Sequence, residues 1–570
     1  MATKITGKDR QVVEALKNKM PPRNVIPIIF VPGIAGSNLR VKPGMEEVVK
    51  DRLQLKGKEP PDPWRPPSGV VSCESRVRQW KNYNPCHRQA LLNLETTSVD
   101  AAGFLEGGPE GIFLSPSSSK GKHFRGWSSI HAYYYEDFLF SLEMTANITG
   151  SPERSPEQTP DGELPHYLQL LADNQSSRQS TKCLDLNGIS HCRMPMDKIR
   201  NVFLKNLMPV YAFGYNWLDS SSTSADALAA IIPQIINRYR DARSDSGDIL
   251  FVCNEVILVT HSMGGLVARA AAAVPATAGL VKGIFHAVMP AVGTPDAYRT
   301  MVAGNVLTVN VRNYFIDFLR NAGSILMGLT TEETTPVMAH SPGCLELLPS
   351  KEYPCNWLIA GITKEEGKGE KLFSLPTTDP YSEIYLKEDA WYRLVNPCLL
   401  DPCGIFKDNP NISPWNSYNN CLLKAKIFHE FLEKPHSIPT YACYGNDKKL
   451  PTFGMTKWHV IRSSEIPYAS KYDLQNGNLI NITMEGKCRA VSAHSSINNY
   501  SVALFHFHIQ KQDTSGDRTV SWQSGSAPGN TWLKGRIWPL TGIVHSPAYK
   551  EDSVRLLTLW AICQFVAGVK

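Results

Sequence analysis

The sequence of 570 residues lacks a long apolar run. No segment reaches the roughly 18–20 consecutive apolar residues of a membrane span. The best candidate, 554–569, contains Arg555 and Gln564 and is predicted to be a buried terminal helix. The first residues, MATKITGKDRQVVEALKNKM, contain no apolar core typical of a secretory signal peptide. We therefore expect synthesis in the cytoplasm without a signal peptide, and any export by a route without a cleaved leader.

The sequence also lacks CxxC pairs of cysteines and a strong excess of one charge. The 13 cysteines are scattered without paired CxxC sets, so no zinc site is predicted. His506 and His508 share one face of a predicted strand, but no suitably spaced cysteine or carboxylate accompanies them, and we expect a polar strand face with no metal. The net charge of +6, from 59 basic and 53 acidic residues, is mild and indicates no nucleic-acid partner. No cofactor is predicted.

Apolar β-branched runs alternate with helical patterns along the chain. The strand-like runs are 25–31, 208–217, 254–260, 282–295 and 439–445, with helical patterns at 224–242 and 264–274. This alternation predicts an α/β fold with a mostly parallel central sheet flanked by helices. Two long stretches interrupt the pattern. We predict a discontinuous core of 25–43, 201–295 and 437–570, an insertion at 44–200, and a cap or lid insertion at 296–436.

A single serine stands where a predicted strand meets a helix of small residues, in VILVTHSMGG. Such an elbow exposes a nucleophile on a strained turn, as in G-x-S-x-G, although Thr260 occupies the first glycine position here. We predict Ser262 as the nucleophile. The amide of Met263 and that of Ile34, in the glycine-containing turn FVPGIAGSNLR, are the predicted oxyanion donors.

A serine hydroxyl needs a base and an acid that follow it in chain order in this type of sheet. His545 lies in a loop between a possible last strand, 536–540, and the terminal helix, where the base is expected. Asp517, in a glycine-containing turn after another strand, and Asp447, in YGNDKK, are the two candidates for the acid. An Asx turn is the alternative explanation for either aspartate.

Five segments occur in the order seen in α/β-hydrolase lipases related to lecithin–cholesterol acyltransferase and inositol deacylases: PIIFVPGIAGSNLR, YAFGYNW, VTHSMGGLVAR, GDRTVSWQSG and GIVHSPAY. Within that group the chain most resembles bacterial type VI secretion lipase effectors. The resemblance implies Ser262 as nucleophile, His545 as base and Asp517 as acid, with Asp447 as the alternative acid. In the group the acid lies in GDGTV, whereas here Arg518 replaces the second glycine.

The resemblance implies an α/β-hydrolase fold with large cap or lid insertions, and a serine lipase or phospholipase acting as an antibacterial toxin. It further implies a membrane lipid substrate, a cognate immunity protein, a secretion-spike carrier, and injection into the periplasm or onto the membrane surface of a target cell. An acyltransferase, a glycolipid deacylase or a non-catalytic binding protein of the same fold are alternatives. Tyr215 and Trp217, near the expected active-site edge, are candidates for substrate contact.

Overall fold

The computed structural model describes most of the chain, and the segment searched for a signal peptide lies outside the described residues. The described residues are 22–55, 58–65, 80, 82–147, 165–172, 194–304, 328–363, 369–407, 411–433, 437–461, 472–482, 487–497, 502–533 and 536–568.

The helices and strands are numbered here in chain order. The strands β1 to β19 are Arg23–Val25, Ile28–Val31, Leu39–Val41, Thr97–Val99, Asn206–Leu207, Val210–Ala212, Phe251–Cys253, Val256–His261, Val281–Ala287, Leu358–Thr363, Gly369–Leu375, Thr440–Gly445, Asp447–Thr452, Thr456–Ile461, Asn478–Ile482, Cys488–His494, Val502–Ile509, Thr514–Gly516 and Ile537–Leu540. The α-helices α1 to α14 are Glu46–Arg52, Pro85–Leu91, Ser119–Phe124, Ala132–Ala146, His166–Leu171, Met196–Lys205, Ser221–Arg240, Gly264–Ala273, Pro295–Ala303, Thr331–Met338, Pro342–Leu345, Pro414–Leu432, Trp522–Asn530 and Asp552–Ala567.

The main sheet has six strands in the order β19-β12-β9-β8-β2-β6, and every neighbouring pair is parallel. Its central strands consist mainly of apolar residues because both faces are covered. In β8, Val256 and Leu258 enter one apolar cluster, whereas Ile257 and Val259 enter the other. The predicted α/β architecture, a mostly parallel sheet flanked by helices, is confirmed.

Helices cover both faces of the main sheet. On one face, α7 and α8 supply buried residues such as Leu228 and Leu266. On the other, α14 and α4 contribute Leu557 and Phe138, and the ring of Phe138 lies 5.6 Å from that of Phe30 in β2. Helix α4 falls inside the predicted insertion 44–200, yet it packs directly on the main sheet.

The second sheet also has six strands, in the order β11-β10-β14-β17-β16-β15. Its neighbours are antiparallel except for the parallel pair β10 and β14. The strands come from both sides of the predicted boundary at 436, so the part called a cap and the part called core share one sheet. A disulfide between Cys86 and Cys403 also joins the two predicted insertions.

The terminal helix α14 is buried, as predicted: Val554, Leu557 and Ile562 are fully covered. Within the part of the chain that the structure describes, no helix combines the length and apolar character needed to cross a membrane.

Three buried histidines make the stability of this fold sensitive to acid. Burial lowers the pKa of His131 and His429 to about 4 and that of His261 to about 3, from 6.5. The unfolded chain therefore binds protons below about pH 6.5 that the folded chain does not, and stability falls as pH drops from there toward 4. Burial raises the pKa of Glu346 from 4.5 to about 7. The folded chain therefore binds a proton at this residue that the unfolded chain does not, which adds stability as the pH falls below 7. This one gain is smaller than the combined loss from the three histidines.

We therefore expect the urea midpoint to fall between pH 7 and pH 5 at constant ionic strength. The variant His429→Gln, which cannot take up a proton when unfolded, is expected to show a shallower fall. A midpoint that stays constant or rises toward pH 5 would contradict this account.

Candidate functional site

A strand–turn–helix elbow presents Ser262 at the carboxyl end of the main sheet. Every residue of β8 is buried, and α8 begins two residues after the serine. The φ of Ser262 is 53°, in the left-handed region that costs a non-glycine residue about 1–3 kcal/mol. Its amide donates to the carbonyl of Ala287, at the end of β9, over 2.9 Å. The turn is thus held by the neighbouring strand while it projects the hydroxyl.

Thr260, the departure from G-x-S-x-G, is accommodated by the adjacent strand. Its Oγ1 lies 2.8 Å from Nδ1 of His286, its register partner on β9, so the side chain points away from the turn. Close approach is instead needed at two other glycines. A Cβ at Gly33 would lie 2.9 Å from that of Ser262, and one at Gly264 would lie 2.4 Å from the carbonyl oxygen of Pro32.

Ser262, His545 and Asp517 form a continuous hydrogen-bonded chain. Nε2 of His545 lies 2.8 Å from Oγ of Ser262, and its Nδ1 lies 2.8 Å from Oδ2 of Asp517. Because a carboxylate only accepts, Nδ1 donates to it and Nε2 is left to accept the serine proton. The three side chains are buried, with relative exposures of 3 %, 7 % and 1 %.

Backbone donors hold the carboxylate of Asp517 in place. Its Oδ1 accepts from the amides of Thr519 (3.0 Å) and Val520 (2.7 Å), which leaves Oδ2 for the histidine. Gly445, at the end of β12, makes room for it, since a Cβ there would lie 2.6 Å from that of Asp517. The main-chain amide of His545 also donates to the carbonyl of Asp517.

The alternative acid, Asp447, has a different set of partners. Its carboxylate accepts from the amides of Lys449 and Gly542, over 2.7 Å and 2.8 Å, and the hydrogen bond from Lys449 is the main reason that its pKa is lowered. The structure therefore brings Asp517, and not Asp447, to His545. Asp447 instead anchors the loop that leads from β19 to the histidine.

The amides of Ile34 and Met263, the predicted oxyanion donors, have no hydrogen-bond partner among the described residues. Met263 directly precedes α8, so the positive end of the helix dipole points toward the serine. The turn after β2 that carries Ile34 lies against the elbow, as the close approach at Gly33 shows.

Tyr215 and Trp217 are buried among core side chains, with exposures of 2 % and 0 %. The hydroxyl of Tyr215 donates to the carbonyl of Pro32 over 2.9 Å, and the ring of Trp217 packs edge-on against Trp64. These contacts favour a role in holding the turn beside the serine over direct substrate contact, which stays a prediction.

The structure adds two residues that the sequence did not single out. His261 and Tyr135 lie beside the chain of Ser262, His545 and Asp517, with ring centroids 5.6 Å apart. In the sequence, His261 was visible only as the neighbour of the serine, and Tyr135 only as one ring in an aromatic run.

In the described part of the chain, no group of three histidine, cysteine or acidic residues is arranged to hold a metal ion.

The parallel six-stranded sheet covered by helices on both faces, with the elbow at the carboxyl end of β8, defines an α/β-hydrolase fold. Neither a protein-family model nor a curated protein matches the sequence. Among solved structures, the chain is similar to one in the crystal structure of the Tle4–Tli4 complex, with a TM-score of 0.64 and 24% identity. The match covers 96% of this chain and 99% of that chain, so the likeness in fold includes the insertions.

Arg518 has a φ of 77°, the conformation that a glycine adopts without strain. We expect Arg518→Gly to raise the free energy of unfolding by up to about 1 kcal/mol, because the relief of strain exceeds the entropy that glycine costs. Arg518→Val is expected to lose at least about 1 kcal/mol, since a β-branched residue fits this region poorly. Urea unfolding of both variants checks this order, and a less stable glycine variant would contradict it.

Proposed function

We propose that this protein is a serine carboxylic-ester hydrolase of the lipase or phospholipase A type, acting on membrane glycerophospholipids through an acyl-enzyme. The observation that carries the proposal is the hydrogen-bonded chain from Ser262 through His545 to Asp517. The nucleophile, base and acid follow one another in the order that activates a serine hydroxyl, and the histidine contacts each of the other two over 2.8 Å.

The geometry supports a two-step reaction. Nε2 of His545 takes the proton of Ser262 as Oγ attacks the ester carbonyl, and Asp517 stabilises the imidazolium that forms. The amides of Ile34 and Met263 bind the oxyanion of the tetrahedral intermediate. The imidazolium then protonates the departing lysolipid oxygen, and water activated by the same histidine releases the fatty acid from the serine.

A lipid substrate agrees with the burial of the site. Ser262 is 3 % exposed and His545 is 7 % exposed, and we propose that neighbouring groups move apart to admit an ester. Contact with a lipid surface can supply the free energy for such an opening, since apolar groups uncovered by the movement are buried again in the membrane. The resemblance to lipases seen in five sequence segments points to the same substrate class.

The biological setting proposed for this activity is that of an antibacterial effector of a type VI secretion system, acting in the periplasm or on the membrane of a target cell. The similar solved chain belongs to a complex of two proteins, Tle4 and Tli4, which supports a protein partner for this chain as well. We propose a cognate immunity protein that covers the mouth of the site, and a secretion-spike carrier for delivery.

The test is product analysis by mass spectrometry. The protein is incubated with mixed vesicles of phosphatidylethanolamine and phosphatidylglycerol, with triacylglycerol emulsions in parallel and the Ser262→Ala protein as blank. We expect equal amounts of fatty acid and lysophospholipid from the vesicles, and faster release from vesicles than from the same lipid class dissolved as short-chain monomers.

Other outcomes separate the alternatives. Release from triacylglycerol alone would contradict the phospholipid substrate and keep the ester hydrolase. Transfer of acyl groups to an added alcohol in place of release would identify an acyltransferase. Equal release by the wild type and the Ser262→Ala protein would contradict the serine mechanism.

A further inference from the structure

A second hydrogen-bonded chain runs behind the proposed catalytic one. The amide of Gly33, in the turn after β2, lies 3.3 Å from Oη of Tyr135 on α4. That oxygen lies 2.9 Å from Nδ1 of His261, the last residue of β8. Nε2 of His261 lies 2.8 Å from the main-chain carbonyl oxygen of His545. We call these four linked groups the His261 bridge.

The chemistry of its two ends determines every proton position in the His261 bridge. A carbonyl only accepts, so Nε2 of His261 carries a proton and donates it to the carbonyl of His545. Nδ1 of the neutral ring then accepts, and Tyr135 donates its hydroxyl proton to it. The tyrosine oxygen is left to accept the amide proton of Gly33. Each of these donors thereby has one acceptor, and the directions agree along the whole chain.

We propose that His261 and Tyr135 are positioning residues, which hold the oxyanion turn and the backbone of the catalytic histidine in a fixed relation to each other. This inference rests on the proposed ester hydrolysis. The His261 bridge engages the amide of Gly33, whereas the next amide, that of Ile34, has no partner among the described residues and is the predicted oxyanion donor. At its other end it fixes the carbonyl of His545, the residue whose ring must contact both Ser262 and Asp517.

Burial and packing support a permanent bridge. Tyr135 and His261 are 3 % and 4 % exposed, so water does not compete well for their hydrogen bonds. Burial and the nearby ring of His545 lower the pKa of His261 to about 3, which keeps the ring neutral at the pH of the cell. A Cβ at Gly36 would lie 2.9 Å from Oη of Tyr135, so this glycine is needed for the tyrosine to reach the turn.

The kinetic test removes one link at a time. Tyr135→Phe is expected to lower kcat about 10- to 100-fold with KM within about threefold, because small displacements of positioned groups have large effects on rate. The matched control is Tyr239→Phe, which removes another buried hydroxyl, bonded to Tyr211 and outside the site. The control is expected to keep kcat and to lose similar stability in urea.

A rescue series separates positioning from packing at His261. His261→Leu is expected to lose about 100-fold in kcat, whereas His261→Gln keeps a donor for the carbonyl of His545 and is expected to recover at least about tenfold. Equal kcat for the leucine and glutamine variants, unchanged kcat in Tyr135→Phe, or an equal loss in Tyr239→Phe would overturn the proposal.

A second measurement does not depend on activity. In protein labelled with ¹⁵N-histidine, the ring of His261 is expected to show the neutral Nε2–H form from pH 8 to pH 5, and Tyr135→Phe is expected to shift its Nδ1 resonance. The Nδ1–H form, or titration in that range, would overturn the proposal. If the wild-type protein cleaves no ester, the proposed function fails, and a neutral Nε2–H ring still establishes the hydrogen bonds without a catalytic role.

Discussion

Ser262→Ala is expected to lower ester hydrolysis by about 10⁴- to 10⁶-fold, since removal of the nucleophile leaves only binding and oxyanion contacts. The free energy of unfolding should change by no more than about 1 kcal/mol. The lost hydrogen bond to His545 is worth about that much, and alanine at a φ of 53° carries much the same strain as serine. Initial rates with a soluble nitrophenyl ester and with phospholipid vesicles measure the first effect, and urea unfolding measures the second.

The matched control for this variant is Ser222→Ala, in the first turn of α7, where the serine is exposed and outside the site. It is expected to keep full activity. If Ser262→Ala retains more than about a hundredth of the wild-type rate in repeated preparations, the serine is not the nucleophile.

The second large effect is expected at the acid. Asp517→Asn should lower kcat by about 10⁴-fold, because the amide favours the wrong tautomer of His545 and does not balance the charge of the imidazolium. Asp447→Asn should stay within a few-fold of the wild type. It loses part of its hold on the amides of Lys449 and Gly542, but its carboxylate does not contact the histidine ring.

Comparing these two aspartates side by side decides the assignment, because each carries the same chemical change and Asp447, at the start of β13, pairs with Gly516, the neighbour of Asp517. Activity near that of the wild type in Asp517→Asn, with a large loss in Asp447→Asn, would reverse the roles. The pH dependence of kcat/KM for each variant is then compared with that of the wild type.

The sequence predicted the main sheet because its signals are local. The run VILV is apolar at every position, as expected for a strand covered on both faces, and β8 extends over Val256–His261. The strand predicted at 25–31 is divided into β1 and β2 at Pro27, which lacks an amide proton for the ladder. The turn residues and the chain order predicted Ser262, Asp517 and His545 as one set. The structure brings their three side chains together.

Features that depend on distant pairing were not predictable in this way. Helix α4 was included in an insertion because no local pattern shows that Phe138 packs on Phe30. The second sheet pairs β10 with β14, almost a hundred residues further along the chain, and the Cys86–Cys403 disulfide spans 317 positions. The spacing of apolar residues and the turn residues do not specify which distant strands pair or which cysteines form a disulfide.

The same reason explains the residues missed at the site. Thr260 looked like a defect in the motif until its contact with His286 showed where the side chain goes. The His261 bridge joins four segments of the chain, so no local pattern could show it. The choice between Asp517 and Asp447 likewise depended on which carboxylate reaches His545 through space.

The central claim is that Ser262 forms a covalent acyl-enzyme, and the most direct test is chemical trapping. The protein is reacted with a long-chain alkyl fluorophosphonate, which resembles the tetrahedral intermediate, and its peptides are mapped by mass spectrometry. We predict one adduct, on Ser262, in the wild type and none in the Ser262→Ala protein. An adduct on another residue, or no adduct in a protein that still releases fatty acid, would contradict the account.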